Sequence, residues 1–229
     1  TDTRIVEAAR VSYMQPSKGE EADKKLLFYL YKNRHTSPFE MCKITLDIKF
    51  PIFIMRQYIR HRMQNVNEYS LRYSEAKDEF FIPTKWRKQQ DKGNKQGSVP
   101  APEWDEIKPR AVIGGLGATH NEVFSDMLEA HCKACFALYE WYLEMGVAKE
   151  MARLVLPLNI HTYLYATWDI KNLLHFITLR DDSHAQAEIQ EVGKAMKSIL
   201  QVLFPWTMEA YERFKFNCVD LQENAMIPD

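Results

Sequence analysis

Residues 42–50, CKITLDIKF, alternate without a break. Cys42, Ile44, Leu46, Ile48 and Phe50 fall on one side, and Lys43, Thr45, Asp47 and Lys49 on the other. Successive side chains of a strand point to opposite faces, so the pattern specifies a half-buried strand with one wet face, as in antiparallel sheets. Pro51 follows and suits the first turn of a helix. Ile52, Met55, Tyr58 and Ile59 then recur at helical spacing in PIFIMRQYIRHRM, predicting a helix that ends near Arg62. A wet-faced strand running straight into a helix excludes an all-helical or all-strand fold. It requires a core that both can share.

The rest of the chain supplies that core. EEADKKLLFYLYKN (20–33) reads as a helix, and HTSPFEM as a turn whose polar residues can cap the next element. NVNEYS reads as a polar loop, EFFIPTKW as a short strand, and residues 87–104, rich in Lys, Gln, Gly and Pro, as an exposed loop. A long helix is predicted over about 119–145, stopped near Gly146. AKEMARLVL is a short helix ended by Pro157, HTYLYATWD a strand and IKNLLHFITLR a helix. SHAQAEIQEVGKAMKSILQVLF is a long amphipathic helix with Ile189, Val192, Met196, Ile199 and Leu203 on one stripe. The expected fold class is α+β: a single domain with an antiparallel sheet, flanking long helices and no internal repeat.

Charge and cysteine usage narrow the function. The 229 residues carry a formal net charge of −1, which argues against a general nucleic-acid coat and leaves local basic clusters to serve something small. No stretch reaches the roughly 18 apolar residues a membrane helix needs, and TDTRIVEAAR has no signal-peptide core. Cys132 and Cys135 form a C-x-x-C within a helical pattern, with no second pair to complete a zinc site. Together with Cys42 and Cys218 they read as reduced thiols, and a cytoplasmic location follows as the default. No His or carboxylate spacing suits a metal. IGGLGATH matches neither G-x-x-x-x-G-K-[ST] nor G-x-G-x-x-G, so no dinucleotide is held by a Rossmann fingerprint.

Two cationic series remain. Arg60-His61-Arg62 stands at the predicted end of the helix, followed by Asn67, Glu68, Ser70 and Arg72. Neighbours on a helix point about 100° apart, so the three cannot face one small ligand together. Read alone they are either a solvated helix end, favoured by the dipole, or the edge of more than one ligand site. Arg forks suit phosphate. Arg153, inside the apolar MARLVLPLN, and Arg180, at the end of LLHFITLR, form the second series. Burying an arginine is costly unless an anion or acceptor meets it, and Glu40 or Glu188 would serve as well as a ligand. His184 reads as a structural hydrogen-bonder, whereas His35 and His175 are open. A single-stranded RNA binder using Tyr69 and Tyr73 for stacking, and a flavin-free nucleotide enzyme, are the rival classes.

Arg60-His61-Arg62, seven residues, then Ser70 resembles the R-H-R-x7-S signature of the flavin-dependent thymidylate synthases. The resemblance also runs through EAARVSY, HTSPFE, PIFIMRQYIRHR, NEYSLRYS, FIP, ARLVLPLN, LRDDSHAQAEIQ and PWT, leaving about 87–118 as a local insertion in one domain. It implies a homotetramer with active sites shared between subunits, and reductive methylation of dUMP to dTMP with methylenetetrahydrofolate, FAD and NADPH. It implies dUMP contacts at Gln57, Tyr58, Ile59, Arg60, Glu68, Tyr69, Ser70, Leu71, Arg72, Arg153 and Arg180, the last also catalytic. It implies FAD contacts at Ser37, Arg60, His61, Arg62, Glu68, Asp169, Lys171 and His175. It implies neither nucleic-acid nor membrane partners. Asp169-Ile170-Lys171 stands where many members have Asn-x-Arg; Lys keeps the charge and loses the fork. Leu71 replaces a frequent small residue.

Overall fold

The structure is a computed structural model that describes residues 1–90, 97–107 and 117–214. In chain order the elements are α1 (Asp2–Arg10), α2 (Glu20–Lys32), α3 (Ser37–Glu40), β1 (Lys43–Pro51), α4 (Ile52–Tyr58), β2 (Gln64–Glu68), β3 (Arg87–Gln89), β4 (Ser98–Pro100), α5 (His120–Glu144), α6 (Lys149–Ala152), β5 (His161–Asp169), α7 (Ile170–Arg180), α8 (Ala187–Leu203) and α9 (Pro205–Arg213). The large sheet has the order β1-β5-β2, and β3-β4 is a separate antiparallel hairpin. The fold is mixed helix and sheet, as its patterning predicts.

The chain divides into two compact units. Of the described residues, the first comprises 1–46, 61–66 and 166–214, the second 47–60, 67–90, 97–107 and 117–165. In the first, α7 packs on α8 and α3, and α2 packs on α9. Its core includes Ile5, Leu27, Trp168, Phe176, Ile177 and Leu200, all essentially solvent-free. The buried Asp2 carboxylate accepts from the backbone N–H groups of Trp206 at 2.8 Å and Thr207 at 3.0 Å, satisfying the first turn of α9. In the second unit Phe50, Ile54, Tyr58, Tyr139, Ile160 and Leu164 are buried. Thr119 and Glu122 form a capping box that starts α5, and Gly146, at φ 81°, takes the left-handed turn that follows it.

The β1 alternation holds: Leu46 and Phe50 are buried while Lys43, Thr45, Asp47 and Lys49 are exposed. Several expectations are corrected. Helix α4 stops at Tyr58, four residues short of Arg62, because its last turn tightens: Arg60 N bonds to Gln57 O at 3.3 Å. Arg60, His61 and Arg62 therefore stand on a link, not on a helix. NVNEYS is not all loop, since Gln64–Glu68 is strand β2; backbone pairing at a sheet edge tolerates its polar side chains. EFFIPTKW makes one bridge, Phe80 to Ile160, and Pro83 removes a ladder donor. Residues 87–104 contain the β3-β4 hairpin, in the register Lys88 to Val99. HTSPFEM holds the one-turn helix α3, entered through Pro38.

Helix α8 begins at Ala187, and its buried stripe is Ile189, Gly193, Met196 and Leu200, with Ile199 and Leu203 exposed. The expected stripe followed a 3.5-residue repeat, and a straight helix drifts away from that repeat. IGGLGATH up to Leu116, much of the expected insertion, and Cys218 lie outside the described residues. No described helix is long and apolar enough to cross a membrane.

Candidate active site

In the first unit the α7 C-terminus delivers Arg180 to His61. Arg180 Nε donates to His61 Nε2 at 3.0 Å. The imidazole sits edge-on to Phe176, with ring centroids 4.7 Å apart, and faces Trp168 and His175 at 6.4 Å. Because Nε2 accepts, the ring proton belongs on Nδ1 and the ring is neutral. Burial lowers the His61 pKa to about 4, with the nearby charges of Arg180 and His175 adding to the shift. Burial also lowers the pKa of Arg180 from its ordinary value. Among the described residues Arg180 has no carboxylate partner. Neither Glu40 nor Glu188 meets it: Glu40 takes Lys171 Nζ at 2.7 Å, and Glu188 accepts from Gln186.

A cavity of about 450 Å³ lies in this unit, lined by Tyr31, Arg34, Phe39, Lys171, His175 and Tyr211 among others. Its walls are apolar and aromatic, and its cations are Arg34 and Lys171. Asp169 has a local task, accepting from Asn172 N at 2.9 Å and Asn172 Nδ2 at 2.7 Å as the N-cap of α7. That capping task is one Asp and Asn perform alike. Ser37 opens α3 and is exposed, next to Thr36 in the cavity wall.

The second unit holds a smaller, more polar cavity of about 240 Å³, lined by Ile52, Glu68, Tyr69, Ser70, Leu71, Arg153, His161 and Thr162. Chain pairing places this loop: Tyr69 N bonds to Tyr163 O at 2.8 Å, at the end of β2. Glu68 Oε1 accepts from Thr162 Oγ1 at 2.7 Å. Ser70 Oγ accepts from Arg72 N at 3.3 Å, which leaves the hydroxyl proton for an incoming acceptor. Arg153 is half-buried, and its Nε donates to Glu150 O at 3.3 Å. Arg72 Nε stands 3.6 Å from Glu150 Oε2, with both side chains 55% exposed. Gln57 is half-buried, Tyr58 is fully buried, and Ile59, Arg60 and Arg62 are exposed.

The structure thus gathers Glu68, Tyr69, Ser70, Leu71 and Arg153 in one cavity, Lys171 and His175 in another, and His61 with Arg180. Thr162 escaped the sequence reading. Its signal is a polar residue on the inward face of β5, 4% exposed among Leu164, Ala166 and Trp168. Gly193 escaped it as well. No described group of His, Cys, Asp and Glu could hold a metal ion.

Residues 1–206 match the family model described as thymidylate synthase complementing protein. The flavin-dependent thymidylate synthase of Thermosipho africanus is 40% identical over 215 residues, covering 94% of this chain and 88% of that protein. The enzyme of the same name from Wolbachia pipientis wMel is 42% identical over 222 residues, covering 96% and 72%. Among solved structures, a UMP/dUMP methylase, PolB from Streptomyces cacaoi, bound with 5-Br UMP, aligns with a TM-score of 0.78 at 32% identity, covering 93% of this chain and 90% of that one.

Proposed function

The chain belongs to the flavin-dependent thymidylate synthase family, and we propose that it carries out the reductive methylation of dUMP to dTMP, with methylenetetrahydrofolate as carbon donor, FAD as cofactor and NADPH as reductant. The observation that carries this reading is Arg180: a half-buried cation whose one described partner is a neutral imidazole. Such a group is made for an anion that arrives and leaves. Uracil presents two carbonyls and an ionisable N3, and a fork on that edge stabilises negative charge as N3 loses or shares its proton. This is electrostatic catalysis without a covalent protein nucleophile. Cys42 and Cys132 are buried thiols whose pKa values burial raises, which suits that assignment.

Ser70, Arg72 and Arg153 take the dUMP phosphate, and Gln57, Tyr58, Ile59, Arg60, Glu68, Tyr69 and Leu71 complete the nucleotide site. Tyr58 contributes its backbone, since its side chain is packed inside. Thr162 holds Glu68 for its task. Ser37, Arg60, His61, Arg62, Glu68, Asp169, Lys171 and His175 hold FAD. Of these, Lys171 and His175 line the 450 Å³ cavity, whose aromatic walls and cations suit a flat ring with an anionic tail. When bound, the flavin supplies hydride chemistry that no side chain offers. We read the chain as one catalytic domain with an insertion at about 87–118, working as a cytoplasmic homotetramer whose sites take residues from neighbouring subunits.

Purified protein should be yellow, should bleach on anaerobic NADPH, and should release tritium from C5-labelled dUMP only when methylenetetrahydrofolate and NADPH are both present. A colourless protein that takes up no flavin, or one that binds RNA and releases no tritium, would overturn the reading.

A further inference from the structure

Arg180 is useful to the reaction only if its fork points at the nucleotide, and an arginine has four side-chain torsions to lose before it does. Two features of the first unit act on that freedom. The first is His61. Its Nε2 accepts from Arg180 Nε at 3.0 Å, so the Nε edge of the guanidinium is fixed and both terminal amino groups are left to turn outward. A cation at position 61 has no lone pair to offer and would repel Arg180. The imidazole is itself pinned by Phe176 at 4.7 Å, and Gln64 Nε2 donates to the His61 carbonyl at 2.8 Å.

The second feature is Gly193. It lies buried in the middle of α8, where glycine is poorly suited to a helix. The space around it gives the reason. A methyl group at this position would stand 3.1 Å from Asp181 N, 3.2 Å from Arg180 C and 3.4 Å from Arg180 Cβ. Helix α8 therefore rests directly on the backbone that carries Arg180, at a distance no other residue allows without a shift. The side chain is held at its tip and its root is held at the backbone.

We propose that His61 and Gly193 are positioning residues for Arg180: neutral His61 clamps its guanidinium as a hydrogen-bond acceptor, and Gly193 seats α8 against its backbone. This rests on Arg180 acting on the nucleotide. For His61 it assigns a task opposite in charge to that of a flavin phosphate contact. The titratable and charged groups around the imidazole are Arg180 and His175 from α7, with Arg60 and Arg62 on its own link. Among the described residues no carboxylate acts on the ring to favour its charged form.

The test compares His61→Gln, His61→Ala, His61→Lys and Gly193→Ala in the flavin-loaded protein. Gln offers an acceptor without charge, so at saturating FAD His61→Gln should lose less kcat than His61→Ala. His61→Ala and His61→Lys should each lose at least tenfold in kcat when measured at saturating FAD. Gly193→Ala should also lose kcat and melt at lower temperature, although alanine is the better helix former. Imidazole nitrogen shifts give a readout independent of the reaction: His61 should remain neutral and protonated on Nδ1 at pH 5.5. Full activity in His61→Lys, a His61 that titrates near 6.5, or a Gly193→Ala protein that gains stability and keeps its kcat would each overturn the proposal. If wild-type protein releases no tritium while His61 still stays neutral, the reaction reading fails and the clamp stands.

Discussion

The two units treat their arginines in opposite ways. In the second, Arg72 is 55% exposed and stands beside Glu150, and Arg153 leans on a backbone carbonyl. Arg72 is paired loosely and water screens the charge that is left; Arg153 is half-buried. In the first, Arg180 is half-buried, held by a ring that carries no charge and faced by no described carboxylate. A screened cation positions a phosphate that is charged before and after the reaction. An unscreened one acts most strongly on charge that appears only during it. The same residue type can therefore grip or catalyse, and burial with partner chemistry decides which.

The largest test of this contrast is Arg180→Ala. It should lower kcat by about a hundred- to a thousandfold, the usual effect of losing a preorganised donor to developing charge, with dUMP affinity changed far less. Steady-state tritium release separates the two. A mutant that loses affinity and keeps kcat would make Arg180 another gripping residue and erase the distinction.

Ser70→Ala should do the reverse. One hydrogen bond to a charged group is worth about 1.5–3 kcal/mol, so calorimetry should find dUMP binding weakened by roughly ten- to a hundredfold, while turnover survives at saturation. A covalent Ser70–uracil adduct would contradict this role.

Asp169 sharpens the comparison on the stability side. As the α7 cap, Asp169→Ala should destabilise the protein by about 1 kcal/mol, and Asp169→Asn, which caps equally well, by no more than a few tenths. Denaturant midpoints decide it. Glu150→Ala should change stability by no more than about 1 kcal/mol, the most an exposed ion pair contributes. By freeing Arg72 it should tighten dUMP binding slightly at low salt and not at high salt.

A last effect vanishes at neutral pH. His61 takes up its proton near 4 in the folded protein and near 6.5 when unfolded. Between those values the unfolded chain binds more protons, so stability is full above 6.5 and falls as pH drops towards 4. The fall should be shallower in His61→Gln. Equal slopes would mean the ring is not buried neutral.

The same contrast explains what could be read in advance. The second unit's site is contiguous in sequence: Glu68, Tyr69, Ser70, Leu71 and half-buried Arg153 line one cavity, and four of the five sit in one motif. The β1 alternation, α5 and α7 were legible because period and caps agree with burial. The first unit's site depends on residues 61, 180 and 193, which only folding brings together. The sequence groups Arg60-His61-Arg62 as cationic or titratable neighbours, and burial against Phe176 and Trp168 keeps the middle one neutral. The end of α4 was misplaced because its last turn tightens after Tyr58, which the apolar spacing does not reveal.

The central claim is that one nucleotide meets a gripping arginine and a catalysing arginine from two different copies of the chain. Arg72→Ala and Arg180→Ala, co-expressed with different tags and purified as a hybrid, test it directly. Each mutant alone should be weak. With random pairing at equal amounts, about half the pairs are mixed and one of their two sites is intact, so activity should recover to about a quarter of wild type in the unfractionated mixture and to about half once the mixed pairs are purified. A verified hybrid that recovers nothing would put both arginines on one chain and contradict the account.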